Sequence, residues 1–220
     1  MTKAKGPEVG FTLVELLLAV SLAMIVIGTA VAIAADMQRV YGHALDDTAA
    51  RQEARYALDW MARVVAAAGS NAYGIGAAAP PACEGIPFEA LNLDPDGNGV
   101  HDDLRVHADI NPPNGVLVGD PANGVACDES GEDVTIAIDR GDRVITRRDL
   151  ATDAGPLPAT DAVFTDLRFT YFTAERLETT LPGEVAVVRI AVTAESRARH
   201  PVTGRFTRFT YRRDVRIRSR

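Results

Sequence analysis

The segment DPDGNGVHDD, residues 94–103, spaces Asp94, Asp96 and Asn98 two apart, with Gly99 next and Asp102 and Asp103 following. A hard cation such as calcium takes side-chain oxygens from loop positions 1, 3, 5 and 9 and a backbone carbonyl from position 7, while glycine at position 6 permits the turn. On that spacing the oxygens come from Asp94, Asp96, Asn98, the Val100 carbonyl and Asp102. Position 12, where a bidentate glutamate closes such a loop, is Arg105, so Asp103 or another acid has to complete the set. The competing reading is a solvated turn, because Asp-Gly and Asn-Gly are common turn dipeptides. The sequence leaves both open, and nothing else in it requires a cofactor.

A second residue stands out by its surroundings. The stretch FTLVELLLAVSLAMIVIGTAVAIAA, residues 11–35, holds 25 residues and one charge, Glu15. About 20 apolar residues in a helix cross a bilayer core of roughly 30 Å, so this stretch spans with some tilt. Lys3 and Lys5 before it, against Arg39 just after it, favour a cytoplasmic N-terminus and an exported remainder. A plain single-pass anchor fits the hydropathy. A cleaved secretory signal would use Ala32-Ile33-Ala34, but the run is longer than the 7–15 residues of such a region. Neither accounts for Glu15, since a carboxylate within an apolar span costs on the order of 2.5–3.5 kcal/mol near its centre and less near an end.

The residues GFTLVEL, Gly10 to Leu16, resemble the processing site of type IV prepilins and type II secretion pseudopilins. The resemblance implies that residues 1–10 are a leader, that a prepilin peptidase cuts between Gly10 and Phe11, and that the new Phe11 amine is N-methylated. It also places Glu15 at the charged helix position of the family. The Phe11 ammonium of one subunit then pairs with Glu15 of a neighbour as subunits stack, which offsets the burial of both charges and sets axial register. The stretch RQEARYALDWMARVVAAAGSNAYG, residues 51–74, looks like the helix end of PilW-type minor pilins and J-type pseudopilins. The implied location is the inner membrane with the head in the periplasm, and after assembly a pilus or pseudopilus. The implied partners are prepilin peptidase, other major and minor pilins or pseudopilins, and inner-membrane lipid.

The elements that would carry these residues follow from periodicity. Beyond Asp36 no proline occurs before Pro80, and Ala54, Ala57, Leu58, Met61, Val64, Val65 and Ala68 recur at helical spacing. One long helix is expected, a membrane half over 11–35 and an amphipathic half over 36–69, with Gly69 as the residue that ends it. Gly28 and Gly42 are its weak points. Trp60 and Tyr56 read as core and rim packing. The rest, 70–220, is a loop region followed by an antiparallel sheet, so the fold class is α+β and pilin-like. From Asp103 the period changes to two, in DLRVHAD, VTIAID, RVITRRDL, AVFTDLRFTYF, EVAVVRIAVTAES and RFTRFTYRRDVRIR. Gly141-Asp142 suggests a tight hairpin. The sheet face for the helix includes Phe169, Tyr171, Val188, Ile190, Phe209, Val215 and Ile217, and the opposite face of the last strand carries Arg208, Arg212, Arg216 and Arg218.

Cys83 and Cys127 fall in the loop region. If they pair in an oxidising compartment, they close a loop of about 45 residues and contribute about 4 kcal/mol in the chain-entropy picture; two separate thiols are the alternative. Two cysteines at that separation, with no C-x-x-C, do not make a zinc site.

Charge narrows the function classes. The net charge is -7, divided unequally: residues 36–133 carry 17 acidic and 5 basic side chains, whereas residues 134–220 carry 11 acidic and 16 basic. Such a balance argues against a general nucleic-acid binder. His43, His101, His107 and His200 form no metalloprotease or hydrolase motif, so an enzyme is not expected. A structural subunit is the leading expectation, an adhesive tip module on a pilin stalk the alternative, and a membrane-anchored periplasmic protein a more distant one.

Overall fold

A computed structural model of the chain describes residues 12–71, 88–110, 130–150 and 155–217. Helix α1, Leu13–Ala67, is continuous over 55 residues, about 82 Å at 1.5 Å per residue. Gly28 and Gly42 lie inside it without breaking it, as one stiff rod would require. Residues 12–42 are exposed throughout, and burial begins at His43. The chain therefore divides where the sequence changes character: Leu, Ile and Val all round the first half, then one alanine-rich stripe on the second.

That stripe is a close-approach surface. Ala50, Ala54, Ala57, Met61 and Val65 are each at most 1% exposed. The three alanines, at four- and three-residue steps, let the helix axis come down onto a sheet, where larger residues would hold it off. The helix stops at Ala68. Gly69 adopts φ +75°, a left-handed conformation that glycine enters without a Cβ penalty. Its N–H donates to His107 O at 2.9 Å instead of turning back onto the helix, and Asp109 N donates to Ser70 O at 2.8 Å. The helix exit is thus bonded directly to the sheet.

The head contains two antiparallel sheets where one was expected. The first, in order β1-β2-β3-β4-β5, is built from Leu91–Asn92, Asp103–His107, Asp133–Asp139, Val144–Asp149 and Leu157–Pro158. The second, β6-β7-β8, is built from Phe164–Phe172, Val187–Glu195 and Arg208–Arg216. The six longer strands coincide with the six period-two runs. The β3–β4 hairpin is looser than a two-residue turn. Asp139 pairs with Val144, Asp139 Oδ1 accepts from Gly141 N at 2.8 Å and Asp142 N at 3.0 Å, and Arg143 takes φ 59°.

Helix α1 packs on β7 and β8, against the face that carries Val188, Ile190, Val192 and Ala194, all fully buried. Trp60 is buried, whereas Tyr56 is 54% exposed, the core and rim roles expected of them. Opposite charges meet along the join. Arg213 pairs with Asp59, the Arg51 guanidinium lies 4.1 Å from the Phe209 ring centre, and Asp46 Oδ2 accepts from Ala198 N at 2.7 Å. Part of the acidic first half is therefore spent within the chain on the second half. Arg208, Arg212 and Arg216 lie on the exposed side of β8, and Arg208 reaches Glu195 at 3.2 Å; Arg218 lies outside the described residues.

Candidate functional site

Two places carry the chemistry singled out above. The first is the start of α1. Thr12 is the N-cap residue, with φ -79° and ψ 151°. Its Oγ1 accepts from Glu15 N at 3.2 Å, and Thr12 N donates to Glu15 Oε2 at 3.2 Å. This reciprocal capping box satisfies two backbone donors that a helix start otherwise leaves open. It also turns the Glu15 carboxylate back toward the residue that follows Phe11, at the positive end of the helix dipole. Gly10 and Phe11 lie outside the described residues. An 18-residue window of α1 has mean hydropathy 2.7 with none of it buried in the chain. The helix is long and apolar enough to cross a membrane.

The second place is the loop between β1 and β2. Asp94 Oδ1 accepts from Asn98 N at 3.1 Å and Oδ2 from Gly99 N at 2.9 Å. Asp96 accepts from Asn98 N at 3.0 Å and from Asn98 Nδ2 at 2.6 Å, and Asn98 Oδ1 accepts from Val100 N at 2.6 Å. Gly99 sits at φ +76° with open space around it. Gly99→Ala should therefore cost about 1 kcal/mol through backbone conformation alone, read as a small fall in melting temperature.

The loop closes differently from the motif. Asp102, expected as a ligand, turns away and pairs with Arg140, with Asp166 a further 3.7 Å partner of the same guanidinium. Asp103, the first residue of β2, takes the inward place. One carboxylate oxygen from each of Asp94, Asp96 and Asp103 lies within 4.8 Å of the others. Asp103 Oδ2 accepts from Asp96 N at 3.1 Å. The Val100 carbonyl accepts from Asp102 N at 2.9 Å and its side chain is half exposed. Hydrogen bonds from Gly99 N, ahead of the opposing effect of burial, hold Asp94 below the usual carboxylate range. Burial, with the charges of Asp96, Asp94 and Asp102, pushes Asp103 up to about 6.

The flanks of the loop are fixed to the second sheet. Tyr171 Oη and His101 Nδ1 both donate to Leu93 O at 3.1 Å, the two rings meet edge to face at 5.3 Å, and Phe169 N donates to His101 O at 2.8 Å. Beside the loop, Arg105 donates to both carboxylate oxygens of Asp133, at 2.8 and 2.6 Å. His107 Nε2 lies 3.3 Å from the same carboxylate. This Arg105–Asp133–His107 group escaped the sequence reading. Its signal was charged residues in the strand-forming runs, and its pairing depends on a register that joins His107 to Asp133 across β2 and β3. Cys83 and Cys127 lie outside the described residues.

No family model matches this chain, and no curated protein or solved structure matches it. The class defined by the fold is therefore the coarse one: an α+β protein with one apolar N-terminal helix, long enough to span a membrane, continuing into a head of antiparallel sheets.

Proposed function

We propose that this chain is a pilin-like subunit, a minor pilin or pseudopilin, made as a precursor and assembled through its helix into a type IV pilus or type II secretion pseudopilus. The observation that carries the reading is the rod itself. A helix exposed and apolar over its first half, and packed without a break on the head over its second, transmits the position of its tip rigidly to the head. A simple tether has no need of that continuity. Helix-on-helix packing would bury the apolar half in a filament, while the head stays outside.

Glu15 supports the same reading. In the single chain it caps its own helix. Once a peptidase has cut before Phe11, a new ammonium arises four positions before Glu15 in the sequence, and a neighbouring subunit brings another. The exchange of a self-cap for an intersubunit ion pair gives each added helix one preferred axial position. The leader, the N-methylated Phe11, the inner-membrane location, and the peptidase and pilin partners all belong to this proposal, as does the absence of catalysis.

Intact-mass measurement of the protein purified from its own cell membrane tests it. The expected species lacks residues 1–10 and carries one added methyl group on Phe11. An N-terminus at Ala35 or Asp36 would mean a conventional secretory signal, and an uncut Met1 would leave a plain anchor; either defeats the proposal.

A further inference from the structure

We propose that the loop between β1 and β2 is a calcium site, with Asp94, Asp96 and Asp103 as its carboxylate ligands. The spacing of acids does not carry this alone. Asp103 is 4% exposed, and its Oδ1, wholly shielded from solvent, has no hydrogen-bond partner. A buried carboxylate oxygen without a donor is costly, and here it belongs to a group of three carboxylates that has no positive partner among the described residues. The two nearby guanidiniums are committed elsewhere, Arg105 to Asp133 and Arg140 to Asp102. A bound cation would satisfy Oδ1 and the mutual repulsion together.

The chemistry of the donor set favours calcium over magnesium. Calcium accepts about six to eight oxygen ligands in flexible geometry, whereas magnesium demands a near-ideal octahedron and keeps several of its waters. Three carboxylate oxygens within 4.8 Å of one another, two of them on an irregular loop, suit the more adaptable ion. Access exists, since Asp96 and Asp103 line an open cleft of about 350 Å³ shared with Arg105 and Asp133. The site differs from a twelve-residue helix-loop-helix pattern in one telling respect. The closing acid is the first residue of a strand, two positions before Arg105, so the ion would tie the loop to β2. Through Leu93, Tyr171 and His101 the effect reaches the second sheet.

The test uses the full chain in detergent, stripped with a chelator and then titrated with calcium chloride. One ion should bind with half-saturation in the range of about 0.1–1 mM, as for sites in extracellular modules. At about 10 mM calcium the melting temperature should rise by about 5 °C. Asp103→Asn keeps an oxygen to accept from Asp96 N but loses the charge, and should weaken binding at least tenfold. Asp96→Ala, on the exposed part of the loop, should do the same and decides the matter if the first variant fails to fold. A shift below about 1 °C, a shift that survives these substitutions, or the same shift from sodium chloride at matched ionic strength would overturn the site. An equal response to magnesium would overturn the assignment to calcium. None of these outcomes depends on how the N-terminus is processed.

Discussion

Glu15→Val should leave membrane insertion and leader removal intact while cutting incorporation into a filament by more than tenfold. The substitution removes one charge from an apolar span, so insertion becomes easier by up to about 3 kcal/mol, less for a residue near the end of the span. What is lost is the partner for the Phe11 ammonium of the next subunit. A buried charge left without its partner costs about 3–5 kcal/mol, and each 1.4 kcal/mol is a factor of ten in an equilibrium. The measurement is the share of this subunit in sheared or affinity-purified filaments relative to the membrane pool. Thr12→Ala is the control, because it removes the capping hydroxyl that accepts from Glu15 N and keeps the carboxylate. Its cost is about 1 kcal/mol of helix end, and incorporation should survive it. Wild-type incorporation of Glu15→Val would sink the pairing idea, and failure of Thr12→Ala to the same degree would reduce Glu15 to a cap.

What could be read in advance was whatever the chain encodes locally. The rod was legible because apolar residues predominate from Phe11 to Ala35, with Glu15 the one charge, and then narrow to a stripe, with no proline between Phe11 and Pro80 and Gly69 to stop it. The longer strands were legible because Val, Ile, Phe and Thr alternate with charges. The short strands were not: β1 is two residues, Leu91–Asn92, and β5 ends in Pro158 at a sheet edge, where a residue without an N–H is tolerated. The division into two sheets was also hidden, since β4 pairs with β5, and β6 with β7, by contacts that no local pattern states. The acidic loop shows the same limit inside one motif. Spacing assigned Asp102 to the ligand set, but Arg140, 38 residues away, pairs with it, and it is Asp103 that joins Asp94 and Asp96. The charge on either residue was visible; the partner that decides its direction was not.

The Arg105–Asp133 pair is the place in the head where one substitution should cost most. Asp133 is 2% exposed, and both its oxygens accept from Arg105. Arg105→Met keeps most of the stem but strands the carboxylate, for an expected loss of about 3 kcal/mol and about 10 °C in melting temperature for a head of this size. The sign of the pH dependence should invert. In the wild type burial pushes the Asp133 carboxyl up, but the hydrogen bond from Arg105, with a smaller contribution from His107, carries it below the ordinary range. A depressed folded value means that the stability is present above the unfolded value, about 3.9, and is lost as pH falls through the folded one. Without Arg105 burial dominates, and the folded chain binds the proton more readily than the unfolded chain. The deficit of Arg105→Met should therefore shrink as pH falls from 7 toward about 4. Arg105→Met combined with Asp133→Leu removes both charges and should recover most of the loss, since an apolar pair of similar volume replaces a buried ion pair at little cost. Thermal unfolding of the three variants at pH 7, 5.5 and 4.5 reads all of this. A single variant as stable as wild type, or a double variant no better than the single, would show that Asp133 finds its compensation elsewhere.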